Sequence, residues 1–513
     1  MANNLTTVRN LIEFSVEKNG EKDFCRYIRD GELSVKSYRE FYRDCISVCR
    51  YINSVTKEKI NIAFIGNTSY EYIACLTGMI FSGNTVVPFS PDITAEEAAV
   101  LFEDADIQML FCEEEFIDRA DEISKSYDGI KSVVSLGDAA WFAEIFERYS
   151  DEMYAEYSAE ECNPDECALI IYTSGTTGKR KGVMLSNRNL AANSSYKVYS
   201  MDDDDISFSV LPMHHIFCYA CDVLKTVFDG GTLCLNGEMV NLYKNLLIFE
   251  PTIMRIVPSL CKSILTRIKI SEKRHPELSA REAAELVVGK NFRRMIAGSA
   301  FLSGAVIDEF EKYGITARQG YGMSECSPRI TTSDFSDKLK YSNGVLIGTD
   351  DVRVRGGEIQ VKGPSVMLGY YKREKETAEA FTEDGYLCSG DLGYIKDNHI
   401  FLTGRKKNLV ILSNGENISP EEIENRFADE AVIKDVIVKA EVDSLVAEIF
   451  PDWLYAEMTG VENMEEALSE IIDKVNTTLK SDRQIHYFKI RETPFRRTST
   501  GKIIRENFYF EEN

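Results

Sequence analysis

Residues Tyr172 to Gly182 combine glycines, hydroxyls and cations in a pattern that suits a phosphate group. The segment reads Tyr-Thr-Ser-Gly-Thr-Thr-Gly-Lys-Arg-Lys-Gly and follows an apolar run, Ala168 to Ile171. Glycines let backbone N–H groups approach an anion closely, hydroxyls add short donors, and lysine supplies positive charge. The segment therefore predicts a loop that handles the phosphates of a nucleotide.

Two other types of loop share part of this composition. A Walker A loop has four residues between its glycines and a Ser or Thr after its lysine. Here Gly175 and Gly178 are separated by only two residues, and Arg180 follows Lys179, so the Walker A pattern fails. A flexible Gly/Ser/Thr connector remains an alternative when the segment is taken alone.

The segment also resembles the phosphate-binding signature of the adenylate-forming (ANL) superfamily of AMP-binding enzymes. Five further segments resemble the other motifs of that family in the same chain order: Leu211–Ile216, Gln319–Glu325, Tyr386–Asp391, Thr403–Asn408 with Asn414–Glu424, and Arg497–Lys502. By these six motifs the chain resembles the family's acyl-CoA synthetases. The resemblance implies that ATP activates a carboxylic acid as an acyl-adenylate, releasing pyrophosphate, before the acyl group passes to a thiol.

The resemblance also implies which residues hold the nucleotide. The triphosphate would lie against Thr173, Ser174, Gly175, Thr176, Thr177, Gly178 and Lys179. The adenosine would contact Ser299, Ala300, Gly320, Tyr321, Gly322, Met323, Ser324, Asp391 and Arg405. Among these, Tyr321 would stack on adenine and Asp391 would accept the ribose hydroxyls. The family most often has threonine in place of Ser324, and we expect this hydroxyl-preserving change to be tolerated.

Four residues would carry the implied chemistry, namely Lys502, Thr176, Glu325 and His215. Lys502 would bridge the substrate carboxylate and the α-phosphate, and His215 would act as a gate near that carboxylate. Glu325 is the implied Mg²⁺ ligand, which is reasonable because Mg²⁺ commonly combines one or two carboxylates with phosphate oxygens and waters. Lys407 is the implied hinge, and the thiol channel would contain Gly415, Glu416 and Asn417.

The implied acyl pocket is mostly apolar and consists of His215, Phe217, Cys218, Gly298 and Gly320. The position just after His215 is Ile216, where amino-acid-activating relatives place an aspartate for the substrate ammonium. We therefore expect an aliphatic or aryl acid, with a medium or long aliphatic acid as the leading hypothesis. The neighbouring motif Cys218-x-x-Cys221 lacks a second pair for zinc and is predicted to pack in the core.

The motifs indicate the adenylation step, but they do not distinguish between several thiols that could accept the acyl group. CoA is the first expectation, beside ATP and Mg²⁺. The phosphopantetheine of an acyl carrier protein is an alternative, as is a standalone peptide-synthetase-like adenylation enzyme. A non-catalytic nucleotide-binding homologue is disfavoured because Lys502, Glu325 and Asp391 are all present.

The composition of the chain argues against several other classes of function. The 513 residues carry 59 basic and 83 acidic side chains, a formal net charge of -24, which opposes binding to nucleic acid or an anionic membrane. The amino terminus lacks a leader pattern and no apolar run could span a bilayer, so a cytoplasmic location is expected. The 13 cysteines are expected to be reduced. The acidic run Asp202 to Asp205 is expected to be solvated.

Alternation of apolar strands with helical patterns over residues 59–112 and 168–319 predicts an α/β fold with mainly parallel, helix-covered sheets. Short alternating segments around Gly356-Gly357 and Asp397-Asn398 predict antiparallel hairpins. We expect an N-terminal domain over 1–404, with a β-rich subdomain at about 340–404, and a mobile α+β C-terminal domain over 405–513. Ser419 and Pro420 are predicted to begin a helix, with Ser419 as its capping residue.

Overall fold

The computed structural model of the chain describes residues 5–136, 145, 162–173, 180–199, 201–202, 204–411, 417–441, 444–497 and 503–505. This part of the chain contains five β-sheets, two of them with seven strands. Together with the helices between their strands, these two sheets confirm the predicted α/β class.

The first seven-stranded sheet contains the strands that precede Gly298 and Gly320, two of the predicted pocket residues. Its strands follow the spatial order Thr316–Gln319, Arg294–Ala297, Ile253–Ile256, Ile206–Ser209, Thr232–Leu235, Asp23–Arg29 and Glu32–Ser37. All neighbours are parallel except the last two strands, which form an antiparallel pair. Parallel order places the carboxyl ends of Arg294–Ala297 and Thr316–Gln319 side by side, and the segments that follow them can therefore share one site.

The second seven-stranded sheet carries the glycine-rich loop. Its strands follow the order Gly369–Tyr370, Lys181–Ser186, Cys167–Thr173, Thr85–Phe89, Asn61–Ile65, Ile107–Cys112 and Ser132–Ser135. The five strands from Cys167–Thr173 onward are parallel, whereas Lys181–Ser186 pairs antiparallel with both of its neighbours. All five residues of strand Thr85–Phe89 are buried. A strand in a parallel sheet that is covered on both faces is apolar on both faces for this reason.

The third sheet is antiparallel throughout and has six strands. Their order is Thr331–Thr332, Val345–Leu346, His399–Arg405, Leu387–Lys396, Glu358–Lys362 and Asp351–Arg355. Both predicted hairpins are confirmed, because the strands on either side of each turn pair antiparallel. The turn residues Gly356, Gly357, Asp397 and Asn398 all have positive φ. Positive φ at both central residues is the requirement of the tight turn whose twist matches paired strands.

Helices cover these sheets and connect their strands. They span Val8–Asn19, Tyr38–Val55, Tyr70–Phe81, Ala95–Asp104, Ile117–Ser126, Asn187–Ser194, Leu242–Phe249, Pro258–Arg274, Ala280–Val288, Gly304–Lys312 and Glu374–Ala380. Between Ile216 and Asp229 the chain forms one further helical segment, whose centre, Tyr219–Leu224, is wound as a π-helix. Among the described residues no helix has the length and apolarity that crossing a bilayer requires.

The C-terminal residues form two smaller sheets and a separate hydrophobic cluster. The strands are Val410–Ile411 with Asn417–Ile418, and Ile433–Glu441 with Ser444–Pro451 and Ile485–Ile490. Helices Pro420–Glu424, Trp453–Thr459 and Met464–Asn476 accompany them. The helix start at Ser419 and Pro420 is confirmed, but the expected cap is not, because the Ser419 hydroxyl bonds to the Glu421 carboxylate instead of a backbone N–H.

All 13 cysteines lie in the described part of the chain, and none forms a disulfide. Ten of them, including Cys218 and Cys221, are buried, as expected for thiols that pack as small apolar side chains. The expectation for the acidic run was wrong at one position. Asp202 and Asp204 are exposed, whereas Asp205 is fully buried and accepts hydrogen bonds from Thr252 Oγ1 and Asp202 N–H.

Asp205 also forms ion pairs with Arg293 at 2.6 Å and Arg294 at 3.3 Å. Burial alone would raise the pKa of Asp205, but the hydrogen bonds from Thr252 and Asp202 and the two arginines outweigh it and hold the pKa below its usual value. This carboxylate therefore fixes the start of strand Ile206–Ser209 to its neighbours. The sequence of the acidic run does not indicate which of its aspartates has this role.

We predict that Asp205→Ala lowers the free energy of unfolding by about 2–4 kcal/mol, because it leaves two arginines and Thr252 without their acceptor. Asp204→Ala, one residue away and exposed, is the matched control and should change it by less than about 0.5 kcal/mol. Urea unfolding at neutral pH measures both. Because the folded-state pKa is depressed, the contribution should fade only in acid, as the pH falls through that pKa. Equal stability of the two variants would contradict the structural role of Asp205.

Candidate active site

The glycine-rich loop joins two antiparallel strands. Thr173 ends the strand Cys167–Thr173 and pairs with Lys181, the first residue of the next strand. The loop residues Ser174, Gly175, Thr176, Thr177, Gly178 and Lys179 lie outside the described residues. A Walker A loop instead connects a strand to a helix. The strand topology therefore excludes a Walker A loop, as the glycine spacing in the sequence also does.

The base of this loop is linked to the implied metal ligand by an aromatic residue that the sequence reasoning missed. Lys181 Nζ lies 4.9 Å from the centroid of the Tyr370 ring, within range of a cation–π contact. The Tyr370 hydroxyl donates a 2.9 Å hydrogen bond to Glu325 Oε1. Tyr370 pairs with Val183 on the strand that follows the loop, and nothing in the local sequence around it indicates this position.

Glu325 is half-buried and keeps one carboxylate oxygen without a hydrogen-bond partner among the described residues. One such oxygen fits a Mg²⁺ ion that takes its other ligands from phosphates and water. Within the described ranges no group of three or more His, Cys, Asp or Glu side chains could hold a metal alone. A metal at Glu325 would therefore need the nucleotide as a co-ligand.

The segment after strand Thr316–Gln319 brings the two predicted glycine positions together. Gly320 N–H donates to Ala297 O at 2.9 Å, so Gly320 lies beside Gly298 at the sheet edge. Ser299 and Ala300 follow Gly298 and are exposed. Beyond Gly320 the chain folds back on itself, because a Cβ at Gly322 would lie 2.0 Å from Pro328 O, a distance that only glycine permits. The half-buried Met323 and Ser324 complete this turn.

Three predicted nucleotide residues meet at one carboxylate. Asp391 is buried, and its Oδ2 accepts a 2.8 Å hydrogen bond from the Tyr321 hydroxyl. Its Oδ1 forms a 2.8 Å ion pair with Arg405 Nε, and the two residues are direct partners in adjacent antiparallel strands. Burial and the Asp391 carboxylate raise the pKa of Tyr321 well above its usual value, so the phenol remains a donor.

The histidine motif lies at the start of the helical segment Ile216–Asp229. His215 precedes that helix, and its ring lies 4.2 Å from that of His214. Burial and the neighbouring His215 lower the pKa of His214 to about 3, so this imidazole is neutral near pH 7. Phe217 reaches the sheet, because a Cβ at Gly298 would lie 3.0 Å from Phe217 Cζ. The structure thus brings together Phe217 and Gly298, two residues predicted to line the acyl pocket.

Cys218 belongs to the hydrophobic core but also contacts polar groups, which the expected apolar pocket did not include. Its sulfur lies 2.9 Å from Leu211 O and 3.4 Å from Asp222 Oδ2. Asp222 in turn accepts from Ser209 Oγ at 2.9 Å and lies 3.6 Å from Arg255. Sequence reasoning missed this pair because Asp222 and Arg255 belong to distant segments that only the folded chain brings together.

The last group of predicted residues lies after Arg405. Lys407 is exposed in the 3₁₀ turn Lys406–Asn408, where desolvation and the cations Arg405 and Arg505 lower its pKa. Arg505 pairs with Glu421 and Glu424, so the end of the described chain lies beside this turn. Asn417 pairs with Ile411 in a short strand. Gly415, Glu416 and Lys502 lie outside the described residues.

Comparison with known proteins places this geometry in a family. The AMP-binding enzyme family matches residues 12–371, and the C-terminal domain of AMP-binding enzymes matches residues 407–511. The first match covers well over half of the chain, so the protein belongs to the AMP-binding enzyme family, as its motifs predicted.

Two relatives and one solved structure illustrate the similarity. Long chain acyl-CoA synthetase 6, peroxisomal, of Arabidopsis thaliana is 32% identical over 313 residues, 52% of this chain and 44% of that protein. Long-chain-fatty-acid–CoA ligase ACSBG2 of Gallus gallus is 25% identical over 488 residues, 82% of this chain and 63% of that protein. The chain thus spans less than two thirds of either relative. Anthranilate CoA ligase AuaEII, solved with anthranoyl-AMP, shares the fold with a TM-score of 0.81 at 15% identity, covering 97% of this chain and 95% of that one.

We predict that Asp391→Asn raises the dissociation constant for ATP about tenfold, because the amide loses the charge-assisted bond to Arg405 and accepts the ribose hydroxyls less strongly. Asp397→Asn is the matched control: it lies at the exposed turn of the same hairpin, where asparagine tolerates the positive φ. Equilibrium binding of a fluorescent ATP analogue measures both. Unchanged affinity in Asp391→Asn would remove Asp391 from the nucleotide site.

Proposed function

We propose that the protein is an ATP-dependent acid–thiol ligase, which activates a carboxylic acid as acyl-AMP and then transfers the acyl group to a thiol. The observation that carries this proposal is the meeting of Tyr321, Asp391 and Arg405, which come from three separate motifs. A buried carboxylate flanked by a phenol and a guanidinium at the mouth of a sheet suits a ribose. The names of the two relatives, a long chain acyl-CoA synthetase and a long-chain-fatty-acid–CoA ligase, support the same reaction.

The chain's own residues would divide the first half-reaction as follows. Thr173 and the loop residues up to Lys179 hold the β- and γ-phosphates and stabilise pyrophosphate as it leaves. Lys502 brings the substrate carboxylate to the α-phosphorus, so that the carboxylate oxygen forms the new bond while the bond to pyrophosphate breaks. Bound at Glu325, Mg²⁺ would neutralise phosphate charge. His215 closes the site on the side of the acid.

CoA is the proposed acceptor in the second half-reaction, where the thiol displaces AMP along the channel of Gly415, Glu416 and Asn417. A carrier-protein phosphopantetheine, which presents the same pantetheine arm, is the second candidate. We place the reaction in the cytoplasm, although one relative is named as peroxisomal. Free amino acids are disfavoured as substrates because Ile216 follows His215, where an amino-acid-activating relative would place an aspartate for the substrate ammonium.

The first half-reaction must exclude water from the site, whereas the second must admit a thiol. We therefore propose that a mobile domain over 405–513 rotates about Lys407. It would move against the domain over 1–404, which includes the β-rich part at about 340–404. In the present state Lys262 donates to Ala428 O at 3.0 Å, and Lys406 pairs with Glu358 at 3.0 Å. Both contacts cross the proposed boundary. The contact of Lys262 is exposed, and in the second contact Lys406 is exposed while Glu358 is buried.

The test of the reaction is acid-dependent release of pyrophosphate from ATP. The panel contains aliphatic, aryl and amino acids, each assayed alone, with CoA and with a phosphopantetheinylated carrier protein. Acid-dependent release that continues only with CoA supports the proposal, and continuation only with the carrier protein selects the second acceptor. Release with amino acids alone would select a peptide-synthetase-like enzyme, and nucleotide binding without any release would select a non-catalytic homologue.

We predict that Lys502→Ala lowers the rate of adenylate formation by about 10²–10³, because a positioned cation is lost where negative charge develops. ATP affinity should stay within about threefold, since most nucleotide contacts lie elsewhere. Lys474→Ala, which removes an exposed cation from the same domain, is the control and should be neutral. Single-turnover release of pyrophosphate measures the rate, and near-normal release by Lys502→Ala would refute the assigned role.

We predict that Lys407→Pro damages the two half-reactions unequally. Proline fixes φ near -65° and restricts the backbone of the preceding residue. The hinge therefore cannot make the backbone change that the rotation between the two half-reactions requires. Lys407→Ala removes the same side chain while keeping a free backbone, and it should support both steps. Adenylate formation in single turnover and thiol transfer from supplied acyl-adenylate are measured separately. If both survive in Lys407→Pro at the rates of Lys407→Ala, the hinge lies elsewhere.

A further inference from the structure

A group of charged side chains is buried beneath the helical segment Ile216–Asp229. It consists of Asp222, Lys225, Asp229, Arg255 and Arg329, and we call it the buried charge cluster. The side chains of Lys225 and Asp229 are inaccessible, and those of Asp222 and Arg255 are 1% and 3% exposed. Arg329 is 5% exposed. Charges at this depth are costly unless they are compensated.

The cations of this cluster outnumber its carboxylates by one. Lys225 pairs with Asp229 at 2.5 Å, and Arg255 lies 3.6 Å from Asp222. The guanidinium of Arg329 donates only to neutral oxygens, at distances of 3.0–3.3 Å: Asn193 Oδ1, Tyr196 Oη and Ala220 O. Three cations therefore face two carboxylates within the described part of the chain. The cluster has a buried excess positive charge.

The cluster also contains an unused hydrogen-bond donor. Arg255 Nη1 donates to Ser207 Oγ at 3.0 Å, whereas Arg255 Nη2 is buried and has no acceptor among the described residues. The contrast with Arg318 is informative, because both arginines flank Ile296 in the sheet register. Arg318 is satisfied by two carboxylates, Glu311 and Asp337, at 2.9 Å each. Of these two arginines, only Arg255 has an unused buried donor. Asp222 Oδ1 and Asp229 Oδ2 of the same cluster are also buried without a hydrogen-bond partner among the described residues, so neither accepts a hydrogen bond from Arg255 Nη2.

This donor lies close to the place expected for the acid. Arg255 is the sheet partner of Ile296, which lies two residues before Gly298, so the two positions are separated by about 7 Å along the sheet. Residues two apart on a strand point to the same face. Phe217 contacts Gly298, and the adjacent Cys218 contacts Asp222. The wall of the implied acyl pocket and the buried charge cluster are therefore contiguous.

From this arrangement we propose that Arg255 is a specificity residue that binds a second carboxylate at the far end of the acid. The preferred substrates are then aliphatic dicarboxylic acids. A distal carboxylate would accept from Arg255 Nη2 and neutralise the excess charge, and guanidinium–carboxylate pairs combine charge with directed hydrogen bonds. An acid ending in a methyl group would provide neither. This inference rests on the proposed function, since it names the substrate class of the same site.

The first test compares matched acids on the wild-type protein. Saturated monocarboxylic and α,ω-dicarboxylic acids of four to twelve carbons are assayed for pyrophosphate release with ATP and Mg²⁺. We expect one dicarboxylic acid to exceed its monocarboxylic counterpart in kcat/KM by about 30-fold or more, the scale of a buried charge contact. A preference for monocarboxylic acids at every length would overturn the inference while leaving the ligase function intact. No release with any acid would instead refute the proposed function.

The second test uses variants of the cluster. Arg255→Gln should remove the preference for the dicarboxylic acid mainly through KM, because a binding contact is lost in ground and transition states alike. The double variant Asp222→Asn/Arg255→Gln should lose it equally, and it avoids an unpaired buried carboxylate if the single variant folds poorly. Arg318→Gln is the matched control, since it removes a buried arginine that flanks the same residue, and it should keep the preference. Retention of the preference in both Arg255 variants would exclude Arg255 as its origin.

Discussion

The hydrogen-bonded carboxylate of Asp391 is the feature on which the proposed nucleotide half of the site depends. A buried carboxylate needs donors on both oxygens, and here they come from Tyr321 and Arg405. Arg405 can reach it because the hairpin turn at Asp397 and Asn398 sets a register in which the two residues are opposite one another. Tyr321 can reach it because it follows the end of a parallel strand in a different sheet. The ion pair with Arg405 lies within one sheet, whereas the hydrogen bond from Tyr321 links that sheet to the segment that follows a strand of the other, at the place proposed for the ribose.

A second constraint is the close approach of backbone to backbone at the sheet edge. Gly322 lies against Pro328 O with no room for a side chain, and Gly298 receives the ring of Phe217. These contacts let the segments after two neighbouring parallel strands share a narrow space, as binding crevices at strand ends require. The same space is bounded on the loop side by Tyr370, which connects Lys181 to Glu325. The residues proposed to bind the metal and the base of the loop proposed to bind phosphate are thereby connected through Tyr370.

The interior beneath the pocket is unusual for an α/β sheet, where apolar contacts normally fill the space between a strand and its covering helix. Here the helical segment from Ile216 to Asp229 packs in the main hydrophobic core and also carries buried charged residues, so that Cys218 lies 3.4 Å from Asp222 Oδ2 within that core. Such a layer costs stability compared with apolar packing of the same volume. Its retention beside the pocket has a direct explanation if one of its cations takes part in binding, and Arg255 has the free donor to do so.

The sequence by itself determined the α/β class, most strand and helix positions and the family, because apolar periodicity and the six motifs are local patterns. Turn residues such as Gly356 and Asp397 even predicted their hairpins. Tertiary structure alone decided that Asp205 is buried, that Ser419 does not cap its helix, and that Asp222 meets Arg255. The physical reason is the same in each case: the partner of a charged or polar side chain is chosen by packing between distant segments. Local composition predicts that such a group needs a partner, but only the folded chain supplies it.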